Sequence, residues 1–349
     1  MNKTKTANYS DFNELMDSYL NKDINKFCEL IDRGININCL NNNGKSFVSC
    51  ILAREDHEDM MDKFLQILLK NNISLKQIGI ERSLLTIAIE RHDNTSCLEK
   101  LLKSNINIDN FGMYRYLIGG KQWCDDPAIF HAIKKEDGRI IELLLKYNVD
   151  LNIENQDGET PLLFLLRGGY FVKNRKGAIC VMKKLLKNGA DPNILGPDGN
   201  SVMHYMSSNF HESDIFEILF KNNDNININA KNKFGDTALI NAVSMGNHDA
   251  VKFLIKNGAD LNVRGYKGFS AVMLAAFMNY IRILNSILIQ SPDLSIIDNK
   301  GNNILHLMAK QIKFDVTEIC QKHFNQISKS HPELLNIKNS KGLTPTDLL

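Results

Sequence analysis

The densest set of groups able to do chemistry is "HEDMMD" at 57–62, where a histidine and three carboxylates fall within six residues. Imidazole and carboxylate are metal ligands. Asp125 beside Asp126 adds a carboxylate pair of the kind used in proton transfer. Neither set extends into a constellation. The seven cysteines, at 28, 39, 50, 97, 124, 180 and 320, form no C-x-x-C pair, and none pairs with a histidine at zinc spacing. H-E-x-x-H, G-x-S-x-G, G-x-G-x-x-G and the phosphate-binding G-x-x-x-x-G-K-[ST] are all missing. We read "HEDMMD" as a charged insertion between helices and Asp125–Asp126 as acids ahead of a helix start. Cys28, Cys50, Cys97, Cys180 and Cys320 fall in predicted helices as small buried hydrophobes. The expectation is a protein that is no enzyme and holds no cofactor and no metal, with a Cys–His pair meeting only in space left open.

Residues suited to binding stand out more. The stretch "FGMYRYLIGGKQWCDD" at 111–126 holds Tyr114, Arg115, Tyr116 and Trp123, the only tryptophan. Tyr, Trp and Arg dominate the energetics of protein interfaces, although the same aromatics could instead plug a packing defect. Arg167, Lys173, Arg175 and Lys176 make a basic loop, and Lys231, Lys233, Arg264, Tyr266 and Lys267 form a second basic set with an aromatic. A net charge of +2 excludes strong bulk attraction to nucleic acid or membrane. The most membrane-like run, 269–290, is interrupted by Asn279, Arg282, Asn285 and Ser286, so no span is expected. The first ten residues lack the apolar core of a secretory signal, and an odd, unpatterned set of cysteines fits a reducing compartment.

The elements that position these residues repeat. "KNGADPNILG" at 187–196 returns as "KNGADLNVRG" at 256–265. Asn13, Ser46, Ser83, Pro127, Thr160, Ser201, Thr237, Ser270, Asn303 and Thr344 hold one phase, at spacings of 33, 37, 44, 33, 41, 36, 33, 33 and 41. A glycine precedes seven of them by two residues, at 44, 158, 199, 235, 268, 301 and 342, and an apolar residue follows nearly all by two. Ser, Thr or Asn at this phase predicts a helix N-cap, with Pro161 and Pro345 in the first turn. A short apolar helix and a second, amphipathic one follow. Gly34, Gly189 and Gly258 end the second helix, and Asn72, Asn105, Asn148 and Asn225 take the same place. The period predicts a repeating unit of two short helices.

"DGETPL" at 157–162, "FGDTALINA" at 234–242 and "NGADLN" at 257–262 resemble the ankyrin repeat. The resemblance covers 10–349, strongly over 156–300 and in degenerate form over 10–125. It implies an all-α repeat solenoid of helix-turn-helix units, a curved elongated stack of about nine repeats, with a partial tenth cut short at 341–349 and a flexible segment at 1–9. The family's histidine survives only as His204 and His306. Insertions mark three places. Positions 105 to 127 span a long finger, with a possible hinge at 106–126, where 148 to 160 suffice elsewhere. Further insertions lie between two helices near 167–177 and in the lengthened second helix near 303–332.

The resemblance implies a non-catalytic scaffold that binds a partner protein through its fingers and first helices. Counting from the helix stops places finger tips at 40–42, 154–156, 195–197, 231–233, 264–266, 297–299 and 338–340. Arg264, Tyr266, Lys231, Lys233 and Lys267 become the expected contacts, with Trp123, Tyr114 and Tyr116 on the long finger. The partner expected is a protein with an acidic or extended segment, bound to a monomeric chain in the cytoplasm. Nucleic acid is not expected. The alternative is a targeting module of a larger enzyme or secreted bacterial or viral effector, acting in a host cytosol, with catalysis outside this chain.

Overall fold

The computed structural model describes residues 3–54, 58–75, 83–91, 95–104, 106–109, 112–118, 121–168, 173–209, 214–222, 225–313 and 318–349. Among them, helices follow one another in pairs. They are α1 (Lys3–Leu20) with α2 (Ile24–Asp32), α3 (Phe47–Leu52) with α4 (Glu58–Lys70), and α5 (Leu84–Arg91) with α6 (Thr95–Lys103). Then come α7 (Ala128–Lys135) with α8 (Gly138–Lys146), and α9 (Pro161–Arg167) with α10 (Arg175–Lys187). The last four pairs are α11 (Val202–Asn209) with α12 (Asp214–Asn222), α13 (Ala238–Ser244) with α14 (His248–Lys256), α15 (Ala271–Phe277) with α16 (Ile281–Leu288), and α17 (Ile304–Lys313) with α18 (Glu318–Ser330). The long finger is an antiparallel hairpin of β1 (Gly112–Ile118) and β2 (Lys121–Asp125), an addition to an otherwise helical stack. The chain forms two compact units, 1–164 with 174–188, and 165–173 with 189–349.

The first helix of a pair is apolar nearly all round. In α13, Ala238, Leu239, Ile240, Ala242 and Val243 are all buried, because neighbours cover it on more than one side. The second helix carries a single stripe, Ala250, Val251 and Leu254 in α14. Caps fall where the period places them: Ser46 accepts from the Ser49 amide, Thr237 from Ile240 and Asn303 from His306. Pro127 and Ser270 stand at helix starts without a side-chain cap bond. Asn13 caps nothing, since α1 already begins at Lys3 and runs through Asn13, taking in residues 3–9 of the segment expected to be flexible. Left-handed residues stop the second helices at Gly34, Asn72, Asn148, Gly189, Gly258 and Ser291. Asn225 is not among them, because α12 ends earlier, at Asn222. Asn105 lies outside the described residues.

The surplus of asparagine has a second use. Asn193 Oδ1 accepts from the Asn227 amide (2.8 Å), Asn229 from Asp260 (2.8 Å) and Asn262 from Asp293 (2.9 Å). Asn38 does the same for Ser74 at 2.7 Å. Each bond ties the loop after one helix pair to the loop after the next, which is why the N of "NGAD-x-N" recurs. The remaining family histidines do similar work. His204 joins Ser201 Oγ (2.8 Å) to the Asp236 carbonyl (3.0 Å), and His306 joins Asn303 Oδ1 (2.7 Å) to the Leu343 carbonyl (3.0 Å).

Candidate functional site

Seven fingers share one turn. Asn41, Asn155, Gly196, Asn232, Gly265, Asp298 and Asn339 each open it, donating to the carbonyl four residues on and accepting from the glycine amide three residues on. The tips are therefore the two residues between opener and glycine: 42–43, 156–157, 197–198, 233–234, 266–267, 299–300 and 340–341. Counting from the helix stops set the tips one to two residues too early. Lys231 and Arg264 sit just before their turns instead of at the apex, whereas Lys233, Tyr266 and Lys267 are tip residues. Phe234, which the sequence reading passed over, is also one.

At five openers, an Asn or Asp side chain accepts from the amides two and four residues ahead and so holds the turn in one form. Gly265 has no such side chain. A Cβ there would stand 2.1 Å from Asp236 Oδ1 and 2.7 Å from Ile240 Cδ1, so any larger residue would have to displace both side chains. The turn here also departs from the other six. Lys267 takes a left-handed conformation (φ 58°), costly for a residue with a Cβ, whereas its counterparts in the other fingers do not. Three pairs of successive tips are linked by main chain: Lys233 N–H to the Asp198 carbonyl, Asn299 to Lys267 and Ser340 to Lys300. At Tyr266 the amide instead donates to the carboxylate of Asp236, at 2.7 Å.

The altered finger presents an aromatic pair. Tyr266 and Phe234 meet edge to face with ring centroids 6.2 Å apart and an interplanar angle of 81°. They stay 55% and 61% exposed, so the contact is made at the surface. Lys267 Nζ stands 4.9 Å from the Tyr266 ring centroid, within cation–π range. Lys231, Lys233 and Arg264 are exposed, and Arg264 Nη2 reaches Asn299 Oδ1 of the next finger at 3.3 Å. Met245 and Met278, at the same place in successive repeats, are 56% and 38% exposed at the ends of α13 and α15. Phe277 stacks on Phe269 at 5.5 Å. Aromatic, thioether and cationic groups on rigid short turns make a surface able to hold another chain. Phe234 could have been found from the sequence, as the residue before the "GDT" glycine. The pairing with Tyr266 could not.

The other expected groups fare differently. On the long finger the backbone sets Tyr116 opposite Trp123, with a register shift between Gly112 and Tyr116. The side chains of Tyr114, Arg115, Tyr116 and Trp123 lie outside the described residues. "HEDMMD" is no insertion loop, because Glu58 to Asp62 open α4; His57 lies outside the description. Asp62 pairs with Lys100 at 2.9 Å, and Asp126 with Lys134 at 3.1 Å. Arg175 and Lys176 belong to the first turn of α10 and not to a loop. Cys97 and Cys320 are buried, Cys28 and Cys50 are half-buried, and Cys180 is exposed, contrary to the reading of all five as buried. Burial pushes the Cys39 thiol up to about 12, which keeps it from acting as a thiolate at neutral pH. Among the described residues no group of three or more His, Cys, Asp or Glu side chains could hold a metal, and no helix is long and apolar enough to cross a membrane.

Comparison with known proteins agrees with the fold. The family described as "Ankyrin repeats (3 copies)" matches residues 170–265. An ankyrin repeat protein of Acanthamoeba polyphaga mimivirus is 25% identical over 199 residues, covering 55% of this chain and 25% of the relative. A second from the same virus is 26% identical over 300 residues, covering 85% of this chain and 69% of the relative. The crystal structure of the ankyrin repeat domain of Bcl-3 superposes with a TM-score of 0.52 at 19% identity, over 64% of this chain and 93% of that one.

Proposed function

We propose that this chain, an ankyrin repeat protein and so built of modules that serve protein–protein interaction, binds a partner through Lys233, Phe234, Tyr266 and Lys267, with Lys231 and Arg264 beside them. The observation that carries the reading is the exposed Phe234–Tyr266 pair on a finger held by a left-handed Lys267. Backbone strain persists only where the surroundings enforce it, and it gathers at functional sites. The aromatic pair supplies contact area at low entropic cost. The surrounding cations suit a partner segment that carries carboxylates beside an apolar or aromatic residue.

The test is affinity capture from cell lysate with intact chain beside two double variants, Phe234→Ala with Tyr266→Ala and Lys233→Glu with Arg264→Glu. We expect a partner that the intact chain retains and both variants lose, with circular dichroism unchanged. A partner held equally by all three chains would exclude this site and turn attention to the finger around Trp123.

The targeting-module reading draws support from a relative of which the chain spans 25%. In that reading the same tips deliver a larger protein to its partner, and the activity resides elsewhere. Reading the complete open reading frame tests it. A reading frame ending at Leu349 would dispose of the fused-enzyme version.

A further inference from the structure

Two residues before the second-helix stop the chain places a lysine in five of eight repeats, Lys70, Lys103, Lys146, Lys187 and Lys256, and a polar Asp32 or Asn223 in two more. A cation there complements the negative end of the helix and keeps that corner soluble. In α16 the position is Ile289, two residues before the left-handed Ser291. Its side chain is 77% exposed, more than any other large hydrophobic among the described residues. A stack stabilised by burial gains nothing from placing its most exposed apolar side chain where its own pattern supplies lysine.

Ile289 borders a groove of about 500 Å³ between α14 and the end of α16, lined also by Lys252, Ile255, Lys256, Ser286 and Gln290. The charge there has one sign. No carboxylate lines the groove, and Lys252 and Lys256 have no ion-pair partner among the described residues. The acids Glu217 and Asp249 stand in the neighbouring depression, which shares the two lysines and is floored by the Phe220–Phe253 pair. Beside the groove, His248 Nε2 bridges to Ser286 Oγ at 2.9 Å, and the ring is held below the usual imidazole range, by burial first and then by Lys252 and Arg282, with Asp249 opposing.

We propose that the α14–α16 groove is a second docking surface, and that its occupant is an acidic amphipathic helix of a partner protein. The apolar face of that helix lies on Ile255 and Ile289, and its carboxylates meet Lys252 and Lys256. Two considerations favour a helix over an extended segment. The walls are themselves helices, whose backbone groups are already paired, so a strand would find no edge to extend. A helix arrives with its own main chain satisfied. With the finger tips, this surface would let one chain hold two partners.

The probe is a fluorescent synthetic peptide of about three helical turns, with leucines at i, i+3, i+4 and i+7 and glutamates elsewhere. Anisotropy is read with the full chain. Expected is saturable binding that weakens about tenfold in Ile289→Lys, which restores the repeat's own residue, and by a similar factor in Lys252→Glu with Lys256→Glu. Tyr266→Ala leaves it unchanged, which separates this surface from the finger tips. Ile289→Lys adds a residue the other repeats tolerate, so loss of fold is not the expected cause, and circular dichroism checks it. Absence of binding overturns the proposal, as does equal binding by Ile289→Lys or by a peptide with lysine for every glutamate. Two further results would replace it with another occupant. One is Ile289-dependent binding to phosphatidylserine vesicles without peptide binding; the other is an Ile289-dependent dimer in sedimentation.

Discussion

The two units reach the same helix-pair architecture with different materials. In the first, where the repeat pattern is degenerate, the core is aromatic. Phe27 packs on Phe64 (4.6 Å between ring centroids) and on Phe47 (5.9 Å), and Tyr19 on Phe64 (5.1 Å), with every one of these rings buried. In the second, the first helices bring alanines and short aliphatic residues into the core, Ala238, Ala242, Ala271, Ala275 and Ala276 among them. There the polar stitching is denser, with two histidine bridges and an asparagine ladder. Stacking thus requires apolar volume at the right period more than any particular residue. A unit with fewer of these hydrogen bonds can rely on larger side chains, and one richer in them can be built from small ones.

That contrast is most sharply tested in the first unit. Phe64→Ala should destabilise it by about 3–5 kcal/mol, the range for a fully buried aromatic truncated in a close-packed core. Urea unfolding followed by circular dichroism measures this. A loss under about 1 kcal/mol would mean that the aromatic cluster is not the core of its unit.

An intermediate effect is expected in the second unit. His306→Leu removes the ring that joins Asn303 to the Leu343 carbonyl, while that carbonyl keeps the Asn339 amide and Asn303 keeps the Leu334 carbonyl, and should cost about 0.5–1.5 kcal/mol. The same histidines set a pH dependence. Burial, the leading cause at both, holds His204 and His306 below the free imidazole value of 6.5. The unfolded chain therefore binds protons that the native one refuses, and stability is lower where those protons are bound. Their contribution is full above about pH 6.5 and is lost as the pH falls from there through the lowered folded values. Denaturation midpoints recorded across that range check the sign. Midpoints that held steady below pH 6, or rose, would contradict it.

The smallest effect concerns the altered finger. Lys267→Gly removes the cost of a left-handed lysine and should raise stability by about 1 kcal/mol or less, while weakening capture of the partner. A variant more stable and equally competent in binding would show the strain to be incidental to recognition.

Much of this was written in the residues. The phase of Ser46, Thr160, Thr237 and Asn303 marks helix starts because a side-chain oxygen there satisfies a free amide, a strictly local event. Glycine at 34, 189 and 258 marks helix ends for an equally local reason, the freedom of a residue without Cβ. Period and helix pairs were therefore legible from spacing, and the resemblance from the motifs at 157–162, 234–242 and 257–262. The tips were misplaced by one or two residues because the turn is set by hydrogen bonds from its opener, which counting from a helix stop does not see.

Tertiary structure decided the rest. Nothing local says that a Cβ at Gly265 would strike Asp236 and Ile240, that the Asp236 carboxylate would take the Tyr266 amide, or that Phe234 and Tyr266 would then meet in the open. Those contacts join residues about one repeat apart, and they follow from how neighbouring pairs are set against each other. Ile289 is the same case seen from the helices. The sequence by itself determined that an isoleucine stands where the pattern has lysine, since that is a matter of counting. Only packing decided that this isoleucine borders a groove lined by two lysines and by no carboxylate, because burial and field depend on what the neighbouring repeat brings alongside.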